Sequence, residues 1–320
     1  MPVTVELSIL VPVFNEEESI HYFFQRVDPI VKELVGSHEY VLVNDGSRDR
    51  TVSILKAMAE ERSDLTVINL SRNFGKDVAL SAGFDYSRGQ AVVPMDVDLQ
   101  DPPELLEEMM AKYREGYDMV IAVRKSRGSD SWFKRMSASW FYALIGRMSD
   151  VAIPANAGDF RLMDRRVVEV LKTLPERSRF MKGLFAWLGF RTVDVYYERP
   201  ERAHGHSKWN YWKLWNFALD GIFSFSTVPL RIWSYIGTLI AMVSFFYLGI
   251  IIVRTVVFGV DVPGYASLLS AILFLGGLNL IGIGILGEYI GRLFVESKQR
   301  PLYIVDNVFG YGGDEPSSAR

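Results

Sequence analysis

Asp96, Asp98 and Gln100 stand at alternate positions in VVPMDVDLQDPPE (Val92–Glu104), directly after a short apolar run. In an extended segment side chains alternate, so these three share one face while Val97 and Leu99 turn inward. Three oxygen-bearing side chains converging at a strand end make a site for a hard divalent cation. Asp101 falls off that parity and reads as the cap of a helix opened by Pro102-Pro103. An acidic loop that only caps a helix has the same composition, so the rest of the chain must decide.

The elements around this stretch alternate. LSILVPV (Leu7–Val13), YVLVND (Tyr40–Asp45), LTVINL (Leu65–Leu70), QAVVPMD and DMVIAVR (Asp118–Arg124) read as strands. Between them, Glu17–Val35, Thr51–Glu61, Lys76–Tyr86 and Pro103–Tyr113 read as helices. Near-continuous apolar strands separated by helices predict a parallel sheet covered on both faces, a doubly wound α/β domain. Ligands in such sheets sit outside the carboxyl ends of the strands. Polar clusters fall at those ends: Phe14-Asn15-Glu16, Asn44-Asp45-Gly46-Ser47, Ser71-Arg72-Asn73, Asp96 and Arg124. No G-x-G-x-x-G follows the first strand and no G-x-x-x-x-G-K-[ST] occurs, which argues against dinucleotide and P-loop sites.

The 320 residues carry 35 Lys+Arg against 38 Asp+Glu, so a generic nucleic-acid partner is not indicated. Absence of cysteine excludes disulfides, zinc-thiolate sites and thiol catalysis, and fits a cytosol-facing chain. His204 and His206 read as part of a loop rather than a metal pair. The first residues lack the basic region of a secretory signal. Two long apolar runs lie beyond Leu230, Ile232–Val253 and about Tyr265–Leu286. The first, roughly 33 Å long as a helix, is enough to cross a bilayer. Glycines in the second, GGLNLIGIGILG, suggest close helix packing and a homo-oligomer. Arg231, Arg292, Lys298 and Arg300 flank the runs, which places both chain ends in the cytoplasm. Segments 131–148 and 209–230 mix aromatic and basic residues as interfacial helices do. The expected organisation is a domain over 1–208, a juxtamembrane helix over 209–230, two spans over 231–293 and a tail over 294–320.

PVFNEEESI, VNDGSRDRT, NFGKDVAL, DVDLQDPPE, GDFRLMDRR and RAHGHSKWN, in this order, resemble the family 2 glycosyltransferases that load sugars onto polyprenyl phosphates. The two apolar runs favour the bacterial bactoprenol glucosyltransferases over single-domain dolichol-phosphate mannose synthases. The resemblance implies a GT-A fold, a nucleotide-sugar donor, undecaprenyl phosphate as acceptor, Mg²⁺ or Mn²⁺ as cofactor and a place at the inner face of a bacterial cell membrane. UDP-glucose is the donor it points to first, with GDP-mannose and UDP-4-amino-4-deoxyarabinose as alternatives. A processive polysaccharide synthase is the rival within the superfamily, but its Q-x-x-R-W sequence and additional spans are missing.

By the same resemblance, Pro12, Phe14 and Glu16 line the base and ribose pocket, and Asp45 contacts the nucleoside. Lys76 and Asp96 belong to the nucleotide-sugar site, and Asp96, Asp98 and Gln100 hold the cation on the diphosphate. Where relatives commonly carry two acids in a D-D-G-S motif, this chain has Asn44 before Asp45. Arg135, Ser139, Arg202, Ser207 and Lys208 resemble acceptor-phosphate contacts; the planar arginine fork suits phosphate oxygens. Asp159 takes the position usually assigned to a catalytic base, and Arg124 is placed to assist the leaving diphosphate. A phosphate monoester has its second pKa near about 6 and needs little deprotonation at neutral pH. Orienting the nucleophile, or holding Arg161 or Arg202, is therefore the expected task of Asp159.

Overall fold

The computed structural model describes residues 5–125, 157–177, 179–198, 226–259 and 264–310. The elements run β1 (Leu7–Val13), α1 (Ile20–Leu34), β2 (His38–Asn44), α2 (Thr51–Glu61), β3 (Leu65–Leu70), α3 (Lys76–Tyr86), β4 (Ala91–Pro94), α4 (Leu105–Arg114) and β5 (Met119–Arg124). After residues 126–156 follow β6 (Ala157–Asp164), α5 (Arg165–Thr173), α6 (Met181–Trp187) and β7 (Thr192–Tyr197). Two long helices, α7 (Val228–Phe258) and α8 (Tyr265–Ser297), precede β8 (Val305–Gly310).

The strands form one sheet of eight, in the order β7-β5-β6-β4-β1-β2-β3-β8. Alternate residues of each strand feed opposite faces. Leu7, Ile9 and Val11 pack with Phe23, Val27, Leu55 and Leu106 of α1, α2 and α4. Leu10 and Val92 join Leu80, Val167 and Leu184 of α3, α5 and α6 on the other face. Continuous apolar strands buried on both sides are what two helical layers demand.

The sheet is mixed rather than wholly parallel. β1 through β4 are mutually parallel, as are β5 and β7, but β6 runs antiparallel between β4 and β5. β8 runs antiparallel along β3, so residues read as part of a tail return to the sheet edge. This reversal matters for chemistry. An antiparallel strand brings its beginning, not its end, to the carboxyl edge of its neighbours, and Ala157 pairs with Val123 there. Asp159 thereby reaches the edge at which β1 to β5 end.

α7 and α8 contain 31 and 33 residues, longer than the apolar runs alone, because both helices continue into their flanking turns. They are long and apolar enough to cross a bilayer. Phe245, Phe246, Val256 and Phe258 of α7 lie open, as do Leu280 and Leu293 of α8. The two helices touch closely where Gly282 lies under Trp233; a Cβ at that glycine would overlap the indole nitrogen.

On the opposite edge from the strand ends, Glu39 is buried and accepts four hydrogen bonds. They come from Ser8 Oγ at 2.6 Å and from Arg88 N, Nε and Nη2 at 2.6, 2.9 and 2.8 Å. Removing the carboxylate leaves those donors without their acceptor, a penalty softened because Arg88 is half exposed. Glu39→Ala should destabilise the domain by about 2–3 kcal/mol and lower its melting temperature while leaving the arrangement of the far edge intact. An unchanged melting temperature would refute this role.

Candidate active site

Lys76 sits at the centre of the carboxyl edge. Its Nζ lies 2.6 Å from Asp96 Oδ1 and 2.8 Å from Asp159 Oδ2. Three elements therefore meet on one ammonium: the first residue of α3, the loop after β4 and the start of β6. Burial alone would push Asp159 up, but Lys76 above all, with Lys182 and Arg161 behind it, holds the carboxyl down to about 2. Asp159 Oδ2 faces the lysine, and its buried Oδ1 has no hydrogen-bond partner among the described residues. No hydrogen bond joins Asp159 to Arg161, one of the two arginines it is expected to hold, and the other, Arg202, lies outside the described residues. The Arg161 guanidinium donates to Gly158 O at 2.7 Å and lies 4.0 Å over the Phe185 ring.

The loop after β4 is not extended. The strand ends at Pro94, Leu99 N donates back to Asp96 O at 3.2 Å, and Leu99 takes φ 49. The alternation argument therefore fails here: a turn, not strand parity, directs Asp96, Asp98 and Gln100. Asp98 accepts from Gln100 N and Nε2 at 3.2 and 2.8 Å. Gln100 is buried, and its Oε1 has no partner among the described residues. Among those residues no three His, Asp or Glu side chains already form a closed cation cage. The available donor set is instead two carboxylates and one unpartnered amide oxygen, the hard oxygens that a divalent cation prefers.

Asp101 is not a helix cap. α4 begins only at Leu105, with Glu104 at its N-cap. Asp101 is buried, accepts from the Tyr197 hydroxyl and lies 3.8 Å from Arg124 Nη2. Arg124 Nε donates to the same hydroxyl at 3.1 Å. Burial, and then the Asp101 charge, push Tyr197 up to about 12, so it stays a neutral donor toward the acid. The sequence reading missed Tyr197, although its place at the carboxyl end of strand TVDVYY was a usable signal.

On the other side of Lys76, Asp45 is buried and accepts from Phe74 N at 2.7 Å and Gly75 N at 2.9 Å. Burial raises its carboxyl above the ordinary range, against those two donors. Lone pairs remain on both oxygens. Gly75 has φ 100, a conformation that favours glycine, and it starts α3 so that Lys76 points inward. Pro12 lies in β1, Phe14 is 40% exposed, and Glu16 accepts from Ser19 Oγ at 2.7 Å. Arg135, Ser139, Arg202, Ser207 and Lys208, with the 131–148 segment and most of 209–230, lie outside the described residues.

Asp77, next to Lys76, is pushed up to about 6, first by burial and then by the charge of Asp159. A raised acid pKa means that, between the ordinary carboxylate range and about 6, the folded chain keeps a proton the unfolded chain has lost. Stability therefore falls as pH rises through that window. Asp77→Asn, which still accepts from Met181 N, should be more stable than wild type by about 3 kcal/mol at pH 8 and by only about 1 kcal/mol at pH 4.5. Melting curves at the two pH values check this; an equal gain at both would sink it.

Residues 8–172 match the family described as Glycosyl transferase family 2, and residues 228–293 match the GtrB C-terminal hairpin. The chain is 54% identical to an uncharacterized glycosyltransferase of Synechocystis over 96% of both chains. It is 52% identical to a bactoprenol glucosyl transferase of Shigella phage SfV, covering 95% of this chain and 99% of that one. Glucosyl-3-phosphoglycerate synthase of Mycobacterium tuberculosis, crystallised with Mn²⁺, UDP and phosphoglyceric acid, overlaps 68% of this chain and 76% of its own at 21% identity and a TM-score of 0.45.

Proposed function

Since this chain belongs to glycosyltransferase family 2, and is thus a hexosyltransferase, we propose that it moves glucose from UDP-glucose to undecaprenyl phosphate at the cytoplasmic face of a bacterial membrane. The observation that carries the reading is the convergence of Asp96, Lys76 and Asp159 at the sheet edge, in a chain that also holds two bilayer-length helices. Near full-length similarity to a bactoprenol glucosyl transferase supports the sugar and the lipid.

An oxygen of the lipid phosphate attacks the anomeric carbon in line with the departing diphosphate. The carbon–oxygen bond to the nucleotide breaks, its electrons stay on the β-phosphate, and the configuration inverts to a β-linked lipid phosphate. Asp96, Asp98 and Gln100 would hold Mg²⁺ or Mn²⁺; Gln100 Oε1, buried without a donor among the described residues, fits that role. Bound there, such an ion neutralises charge on the leaving diphosphate. Lys76 adds a fixed positive charge beside it, and Arg124, braced by Asp101 and Tyr197, a second.

Asp159 carries its charge at all physiological pH values. A carboxyl held so low is a weak base, and the acceptor phosphate is already largely ionised. Its task is to orient the reacting groups through Lys76. α7 and α8 cross the bilayer and hold the domain beside its lipid acceptor, with Arg231 at one end and Arg292 and Lys298 at the other on the cytoplasmic side.

Incubation of the purified protein with undecaprenyl phosphate and labelled UDP-glucose should yield a labelled, solvent-extractable lipid. GDP-mannose and UDP-4-amino-4-deoxyarabinose should give little. A product from one of these instead would reassign the donor, and none from any would remove the activity. Asp98→Ala, if folded, should abolish transfer, whereas undiminished turnover would exclude a cation at this loop.

Asp159→Asn should cost about a hundredfold in rate through lost orientation, and the loss should persist at high pH. Full recovery at high pH would make Asp159 a proton acceptor instead.

A further inference from the structure

Asn44 lies within a hydrogen-bonded chain that crosses three strands. Asn44 on β2 is buried, and its Nδ2 donates to Asn69 Oδ1 on β3 at 2.6 Å. Asn69 Nδ2 donates in turn to Asp306 Oδ2 on β8 at 3.1 Å. At the other end, Asn44 Oδ1 accepts from Ser47 N at 3.4 Å. Ser47 Oγ accepts from Asn15 N at 2.9 Å, and Asn15 Oδ1 accepts from Arg48 N at 2.9 Å. The turn so fixed contains Asp45.

The polarity of this chain is fixed from both ends, since the Ser47 N–H can only donate to Asn44 Oδ1 and the Asp306 carboxylate accepts from Asn69. An ionised carboxylate only accepts, so Asn69 must present its NH₂ to Asp306 and its oxygen to Asn44. Asn44 then has only its NH₂ to offer Asn69, which leaves its oxygen for the Ser47 amide. β8 is shaped for the task. Asn69 pairs with Asn307 and Leu70 with Val305, so Asp306 is the extra residue of a β-bulge. Bulges re-aim a side chain, and this one turns the carboxylate onto Asn69. Asn307 Nδ2 supports it from the side at 2.7 Å.

We infer that Asp306, on the strand that follows the two apolar helices, is a positioning residue of the donor site. Together with the Ser47 N–H at the far end, it holds the hydrogen-bond direction of Asn69 and Asn44 and so braces the Asn44–Ser47 turn. The inference rests on reading that turn as the nucleoside end of the site. It also accounts for Asn44: an acid at this position would place a carboxylate at each end of Asn69, and the amide oxygen would face one of them.

Reversal of polarity is the test. With Asp at 44, Asn69 must flip its NH₂ toward β2, and its oxygen then needs a donor at 306, which Asn supplies. The four full-length proteins are wild type, Asn44→Asp, Asp306→Asn and the double variant. UDP affinity is measured by calorimetry at pH 8, alongside the UDP-glucose KM, kcat and melting temperature. Asn44→Asp should weaken UDP binding about tenfold, the scale of one buried hydrogen bond left unmade. Asp306→Asn alone keeps an acceptor oxygen and should bind within about twofold of wild type. The double variant should recover most of the affinity lost in Asn44→Asp, with kcat little altered throughout.

Unchanged UDP binding in Asn44→Asp would overturn the inference. So would a double variant that melts like wild type and binds no better than Asn44→Asp. Loss confined to melting temperature would reduce Asp306 to a structural residue. If wild type itself binds no sugar nucleotide or UDP, the donor-site reading fails first and takes the positioning role with it. Wild-type binding with indifferent variants overturns the positioning role alone.

Discussion

A single lysine ammonium shared by two carboxylates is the interaction on which the geometry of the site depends. Asp96 follows β4 and Asp159 opens β6, and the positive charge of Lys76 between them joins the two carboxylates. The lysine is in turn placed by a more distant acid. Asp45, at the end of β2, accepts the amides of Phe74 and Gly75 and so fixes where α3 begins. Gly75 permits the sharp entry, and the next residue is Lys76. The ends of β2, β4 and β6 are thus tied through the first turn of one helix. Each contact is short, charged and partly shielded from water, where charge-assisted bonds are strongest.

Much of this was legible beforehand because it is local. The apolar runs of β1, β3 and β5 and the span of α2 and α3 follow from residue type and period alone, and the strand-end rule located Asp45, Asp96 and Arg124. What escaped depends on partners far along the chain. GDFRLMDRR alternates charged and apolar residues, and nothing local says that it runs antiparallel between β4 and β5. The same is true of VDNVFG, whose pairing with β3 spans the two apolar helices. Asp101 was misjudged for a related reason. Its proximity to Pro102 suggested a cap, but its partners Tyr197 and Arg124 come from β7 and β5.

The turn at Val97–Leu99 gives a sharper lesson about parity. Alternation is a property of extended backbone, and a positive φ at Leu99 ends it at once. Asp96 and Asp98 therefore have different surroundings, one against Lys76 and the other against Gln100. The acidic stretch that looked like one uniform face is two half-sites joined by a turn. A cation held by all three side chains would draw those halves together, so the loop's conformation and its ligand are linked properties.

On the proposed function, the sheet edge must stay in register with an acceptor held at the two apolar helices. The connection here is more than a flexible tether. Arg177 N donates to Glu296 near the end of α8 at 2.8 Å, and its guanidinium reaches Arg300 O. Past that helix, Tyr303 donates to Asp85 of α3 at 2.6 Å, and Ser71 N donates to Ile304 O at 2.9 Å. α3 is the helix that carries Lys76 at its other end. The segment leaving α8 is therefore fastened both to the end of β3 and to the helix that places Lys76 between Asp96 and Asp159. Tilting the two long helices relative to the sheet would strain those bonds, so the contacts keep the helices and the candidate site in one frame.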